Sequence, residues 1–88
     1  MIKKIRFGLL LLLIVPGLLS AQNAAVDKLI QEGIALHDQG KYIEAIAKYK
    51  QALEMEEESA MINYEIAYSY FELQEYERAI SFSKDALK

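Results

Sequence analysis

Cysteine is absent from this 88-residue chain, histidine occurs once, and glycine only four times. Without cysteine there is no disulfide, no thiolate metal site and no cysteine nucleophile, so the fold must hold by packing alone. Anchoring through a lipid-modified cysteine is closed for the same reason. His37 has neither the companions a metal site needs nor a neighbouring nucleophile, and reads as a groove or surface histidine on a helix. Gly8 and Gly17 fall in the N-terminal stretch, which leaves Gly33 and Gly40, too few for a phosphate-cradling loop. Glu54, Glu56, Glu57 and Glu58 lack the alternating ligands and central glycine of a calcium loop. They read as a solvated acidic turn. Nothing in these residues points to enzymatic activity, and no metal or cofactor is expected.

Basic residues open the chain and are outnumbered by acidic ones later in it. Lys3, Lys4 and Arg6 precede a 13-residue apolar run from Phe7 to Leu19, and Ser20 and Ala21 supply small residues before Gln22. That is the layout of an export signal, residues 1–21, and the run is shorter than the about 20 apolar residues a spanning helix needs. Cleavage after Ala24 or Ala25 is the alternative, since Leu19 stands where a small residue is usual. An uncleaved single-pass anchor is the competing fate. With the signal set apart, seven basic residues face 13 acidic ones, a net charge of −6 for residues 22–88. Such a surface repels phosphate backbones and anionic membranes, so nucleic-acid binding and stable membrane insertion are not expected. The expected compartment is the periplasm, the cell envelope or the secreted fraction.

A self-comparison of residues 22–88 gives one productive offset, 34 residues. Tyr42 falls on Tyr76, Ala45 on Ala79, Ile46 on Ile80, Lys50 on Lys84, Ala52 on Ala86 and Leu53 on Leu87. Gly33 falls on Ala67, Ala35 on Ser69 and Asp38 on Glu72. A period of this length marks a stacked helix-turn-helix array. Leu29, Gly33 and Leu36 form one helical stripe, with Ile30, Ile34 and His37 beside it. Gly40 offers a left-handed stop. Tyr42, Ala45, Ile46, Tyr49, Ala52 and Leu53 carry a second helix, and Ser59 is placed to cap a third, from Ala60 to Leu73. Tyr76 to Lys88 is the fourth. Small residues at Gly33, Ala45 and Ala52, and at Ala67, Ala79 and Ala86, sit where paired helices must approach closely.

The run GIALHDQGKYIEAIAKYKQALEME, beginning at Gly33, resembles the tetratricopeptide repeat family. Gly33, Gly40, Tyr42, Ala45, Tyr49 and Ala52 match its pattern in a first unit of about residues 26–59. Ala67, Tyr70, Tyr76, Ala79 and Ala86 match it in a second, 60–88. The departures are Gln74 for the turn glycine, Ser83 for an aromatic, Asn63 opposite Leu29, and Glu57 for the terminal proline. The resemblance implies an all-α fold of antiparallel helix pairs stacked as a right-handed solenoid of about two repeats, the second incomplete. Two units are fewer than such arrays need, so the sequence reads as the front of a longer protein; self-association is the other way to cover the open end.

Tyr64, Tyr68 and Phe71 share one helical face, and the period sets them beside Ile30, Ile34 and His37. By resemblance this is the concave face, where such domains hold a peptide, and aromatic rings serve as interface anchors. The competing reading packs the same rings under a further unit. Asp27, Ile30, Ile34, Met61, Tyr64 and Tyr68 include no basic cluster, so a clamp for carboxylates is not expected and an apolar or mildly basic peptide fits better. The expected function is therefore that of a non-catalytic interaction module binding a protein or peptide partner. The alternatives are a structural scaffold, or the N-terminal part of a larger envelope protein, with the groove filled by further repeats or by another copy.

Overall fold

The computed structural model describes residues 21–88, so the expected export signal lies outside the described residues except for Ala21. Four helices follow one another: α1 over residues 21–38, α2 (Tyr42–Met55), α3 (Ala60–Glu72) and α4 (Tyr76–Ala86). The last ends two residues earlier than the sequence period predicts, because Leu87 already serves as its C-cap. Among the described residues no helix is long and apolar enough to cross a membrane.

Each hairpin turns through a left-handed residue. Gly40 has φ +79° and meets no steric conflict, as glycine allows. Gln74 holds the same place in the second hairpin at φ +64°, in a region that costs a side-chain-bearing residue roughly 1–2 kcal/mol. The backbone nonetheless repeats the turn bond for bond. Lys41 N–H donates to the Leu36 carbonyl at 2.8 Å, and Glu75 N–H to the Tyr70 carbonyl at 2.9 Å, which closes the same helix-ending motif twice. Between the hairpins, Ser59 caps α3 by accepting from the Ile62 N–H at 3.2 Å. Asn63, which replaces the large apolar residue of the first unit, is buried and donates to the Ser59 carbonyl at 3.1 Å, so its polarity is satisfied inside the junction.

The core runs between α1, α2 and α3. Val26, Ile30, Ala45, Ile46, Tyr49, Ala52, Ile62 and Ile66 are all buried in one cluster, which Tyr70 and Ala79 extend toward α4. The closest approach is at Gly33. A Cβ there would run into Cε1 of Tyr49, whose ring is wholly buried. Glycine on α1 thus makes the notch that the Tyr49 ring of α2 fills. Outside it, Lys48 pairs with Glu32 at 3.5 Å. The second hairpin carries Ala67 and Ser83 at these two places, so its notch is shallower and has no ring in it. Its helices meet instead through Tyr70 and Phe82, stacked with centroids 5.6 Å apart.

Candidate functional site

The helix period places Tyr64, Tyr68 and Phe71 on the face of α3 turned away from the core. They are 59%, 44% and 55% exposed, among the most open large apolar side chains of the molecule. Tyr64 and Tyr68 stack with centroids 6.3 Å apart, and Tyr68 lies against His37 at 4.5 Å. His37 is fixed from two further sides. Its Nδ1 is 2.8 Å from the buried Ser69 Oγ, and its ring meets Tyr42 edge-on at 4.9 Å. A continuous aromatic strip therefore runs from α1 onto α3.

Two shallow depressions flank the strip. The one between α1 and α3 is lined by Ile34, His37, Tyr64 and Tyr68, with Asp38 and Glu65 at its acidic edge. The other lies between α3 and α4, encloses about 400 Å³ and is almost wholly apolar: α3 supplies Tyr64, Ala67, Tyr68 and Phe71, and α4 supplies Tyr76, Ala79, Ile80 and Ser83. Phe71 meets Tyr76 edge-on at 5.6 Å, the counterpart one period later of the His37–Tyr42 pair.

Of the six expected groove residues, five thus border the two depressions. Ile30 does not: it is buried in the core, and its expected place on a groove wall is corrected accordingly. The cause is α3, which lies over that side of α1 and hides what the period alone leaves facing outward. The residues expected to pack between helices differ in their cover. Gly33, Ala45, Tyr49, Ala52, Ala67, Tyr70 and Ala79 are buried, Tyr42 and Ala86 are partly covered, and Tyr76 is exposed. Gly40 lies in its turn, where its role is conformational.

On the opposite side of the hairpins, Lys50 Nζ donates to Tyr70 Oη at 3.1 Å, and Arg78 stands over the Tyr70 ring at 5.7 Å. Burial alone would raise the Tyr70 phenol, but hydrogen bonding to Lys50 and Arg78 and their positive charges outweigh it and hold the phenol below its ordinary range. Tyr49 goes the other way. Its burial, the Glu65 carboxylate that accepts its hydroxyl at 3.5 Å, and the charge of Asp38 all push its phenol up. These two tyrosines are structural, one locked in the core and the other pinned by cations. Among the described residues no three metal-ligating side chains converge.

Sequence reading could place the aromatic stripe but not the contact between His37 and Ser69, since the bond joins different helices 32 residues apart. Nor does the α4 wall of the second depression follow from the stripe on α3. The recurrence of Ile46 as Ile80 is the signal that marks it.

No curated protein matches the chain. A model of the TPR repeat family matches residues 33–74, from the notch glycine of α1 to the left-handed glutamine after α3. With the 34-residue period, the two equivalent turns and the stacked hairpins, this match supports an all-α fold of TPR type for the described helices.

Proposed function

We propose that the protein is an exported interaction module that binds a peptide segment of a partner across the rings of Tyr64, Tyr68 and Phe71. The observation that carries this reading is the exposure of three adjacent aromatic residues on a helix whose other face supplies Ile62 and Ile66 to the core. Rings of this size offer much contact area at little entropic cost, and Tyr keeps a polar tip for orientation. Asp38 and Glu65 at the edge favour a mildly basic segment over an acidic one. The support for export is the order of charge, apolar run and small residues in 1–21, and an exported module would meet its partner in the cell envelope or outside the cell. The role is binding without chemistry, in keeping with the general use of TPR repeats.

Peptide display against the protein expressed from its complete sequence tests the binding reading. Selected ligands should lose at least about 2 kcal/mol of affinity with the Tyr64→Ala, Tyr68→Ala double variant while its helical circular dichroism is kept. Loss of the fold in that variant would instead make the rings structural. Intact mass of the product tests export, which requires the loss of residues 1–21, or of 1–24 or 1–25. An intact chain in the membrane fraction would contradict it.

A further inference from the structure

The depression between α1 and α3 differs in chemistry from the rest of the aromatic strip. Ile34, His37, Tyr64 and Tyr68 line it, and two carboxylates border it, Asp38 from α1 and Glu65 from α3. Both helices are described, so its two walls are present and owe nothing to the open side of α4. Glu65 is half-buried there, and its Oε2 accepts from the Tyr49 hydroxyl at 3.5 Å. The ion pairs of the described residues, Lys48 with Glu32 and Lys88 with Asp85, lie elsewhere. Among those residues neither Asp38 nor Glu65 meets a cation within 4.0 Å, and no lysine or arginine lines the depression.

Three sources of negative potential converge on this place. Besides the two carboxylates, Asp38 is the last residue of α1, so the partial negative charge of the helix end adds to its own. The core registers that field: after burial itself, it is Glu65 and then Asp38 that push the Tyr49 phenol up. The rings contribute in the same sense, since an aromatic face attracts a cation. Tyr64 and Tyr68 lie 28° from parallel with centroids 6.3 Å apart, and the His37 ring continues the surface 4.5 Å from Tyr68. A ligand group that matches both carboxylates and ring faces is flat, cationic and rich in donors. Guanidinium has all three properties, whereas an ammonium ion supplies the charge without the plane and is more strongly hydrated.

We propose that the α1/α3 depression is the subsite for one arginine side chain of the partner segment, its guanidinium laid on the Tyr64 and Tyr68 rings and donating to Glu65 and Asp38. This rests on the peptide-binding reading of the same rings, and it adds the residue the partner must carry and the place that residue occupies. The described chain has no arginine of its own to put there: Arg78, the one it contains, stands over Tyr70 on the opposite side of the hairpins.

The test uses the protein expressed from its complete sequence and three short synthetic peptides, identical but for a central arginine, lysine or citrulline between leucines. Fluorescence anisotropy should show saturable binding of the arginine peptide, at least about tenfold weaker binding of the neutral citrulline peptide, and an intermediate value for lysine. Glu65→Gln should remove most of the preference for arginine over citrulline while leaving the citrulline peptide's affinity unchanged. Its circular dichroism checks the fold, and Asp38→Asn, at an exposed position, should reduce the preference in the same direction even if Glu65→Gln does not fold. Glu77→Gln removes the same charge from α4, outside the depression, and should leave the preference intact. Equal affinity for the arginine and citrulline peptides, lost with Tyr64→Ala, Tyr68→Ala, would leave the peptide-binding function standing and overturn the arginine subsite. A preference that survives both Glu65→Gln and Asp38→Asn, one that falls as much with Glu77→Gln, or no saturable binding of the arginine peptide would overturn it as well.

Discussion

Ile46 and Ile80 hold the same position in successive units, yet Ile46 is 5% exposed and Ile80 55%. The pattern recurs at other positions of the second helix of each hairpin, although Ala45 and Ala79 are both buried. Tyr42 is partly covered and Tyr76 open, Ala52 is sealed and Ala86 is not, and Leu53 packs on the core while Leu87 stands in solvent. Neither residue type nor helix register accounts for the contrast, since both repeat. The difference is α3, which lies over the first hairpin, while no described helix lies over the second. Burial in a stacked repeat is thus a property of the neighbour, and a residue's sequence pattern shows only that it is fit to be buried. The α3/α4 face repeats the residue pattern of the one α3 covers, so its exposure among the described residues reflects the lack of a described neighbour and not a different sequence.

The comparison breaks most visibly at the filled notch. Tyr49→Ala should cost about 3–5 kcal/mol, as for a buried aromatic, whereas Ser83→Ala at the equivalent place should stay within about 0.5 kcal/mol. Urea denaturation of the two variants checks this, and equal midpoints would erase the distinction between units. Next come the close-approach positions. Gly33→Ala, driven into the Tyr49 ring, and Ala45→Leu should each lose about 1–3 kcal/mol. Glu44→Gln, on the exposed face of α2, should lose less than about 0.5 kcal/mol.

The turns give a smaller effect of opposite sign. Gly40→Ala forces a side chain into the left-handed region and should cost roughly 1–2 kcal/mol, while Gln74→Gly relieves the same strain and should stabilise by up to about 1 kcal/mol. Thermal melts of the pair would sharpen the equivalence of the turns, and a loss on Gln74→Gly would deny it. The smallest effect is alkaline. Because the folded Tyr49 phenol is raised above its ordinary value of about 10, its contribution is fully present below that pH and is lost as pH rises beyond it. Tyr49→Phe should flatten the fall in stability above about pH 10.

Much of this fold is legible in the sequence because a repeat states its own geometry twice. The 34-residue period, the turn at Gly40 and the cap at Ser59 each have a local chemical signature, and each is found where that signature stands. Gln74 shows the limit of such signatures: the glycine is missing, but the flanking hairpin imposes the turn anyway. The candidate site was legible in part. Periodicity puts Tyr64, Tyr68 and Phe71 on one face, but it does not say what lies over a face, so Ile30 reads as a groove residue until α3 is seen to cover it. The pairing of Gly33 with Tyr49, and of His37 with Ser69, joins residues on separate helices and has no trace in either helix alone.

The central claim is that, among the described residues, the second hairpin repeats the first without a helix lying over it. Residue-resolved amide hydrogen exchange on the protein, with no partner added, tests it most directly, because exchange reports how much structure must open to free each amide. The account predicts that amides of α2 exchange only through global unfolding, while those of α4 exchange through smaller and more frequent openings. Protection of α4 equal to that of α2 would show that the second hairpin is already as well held as the first, and would contradict the claim.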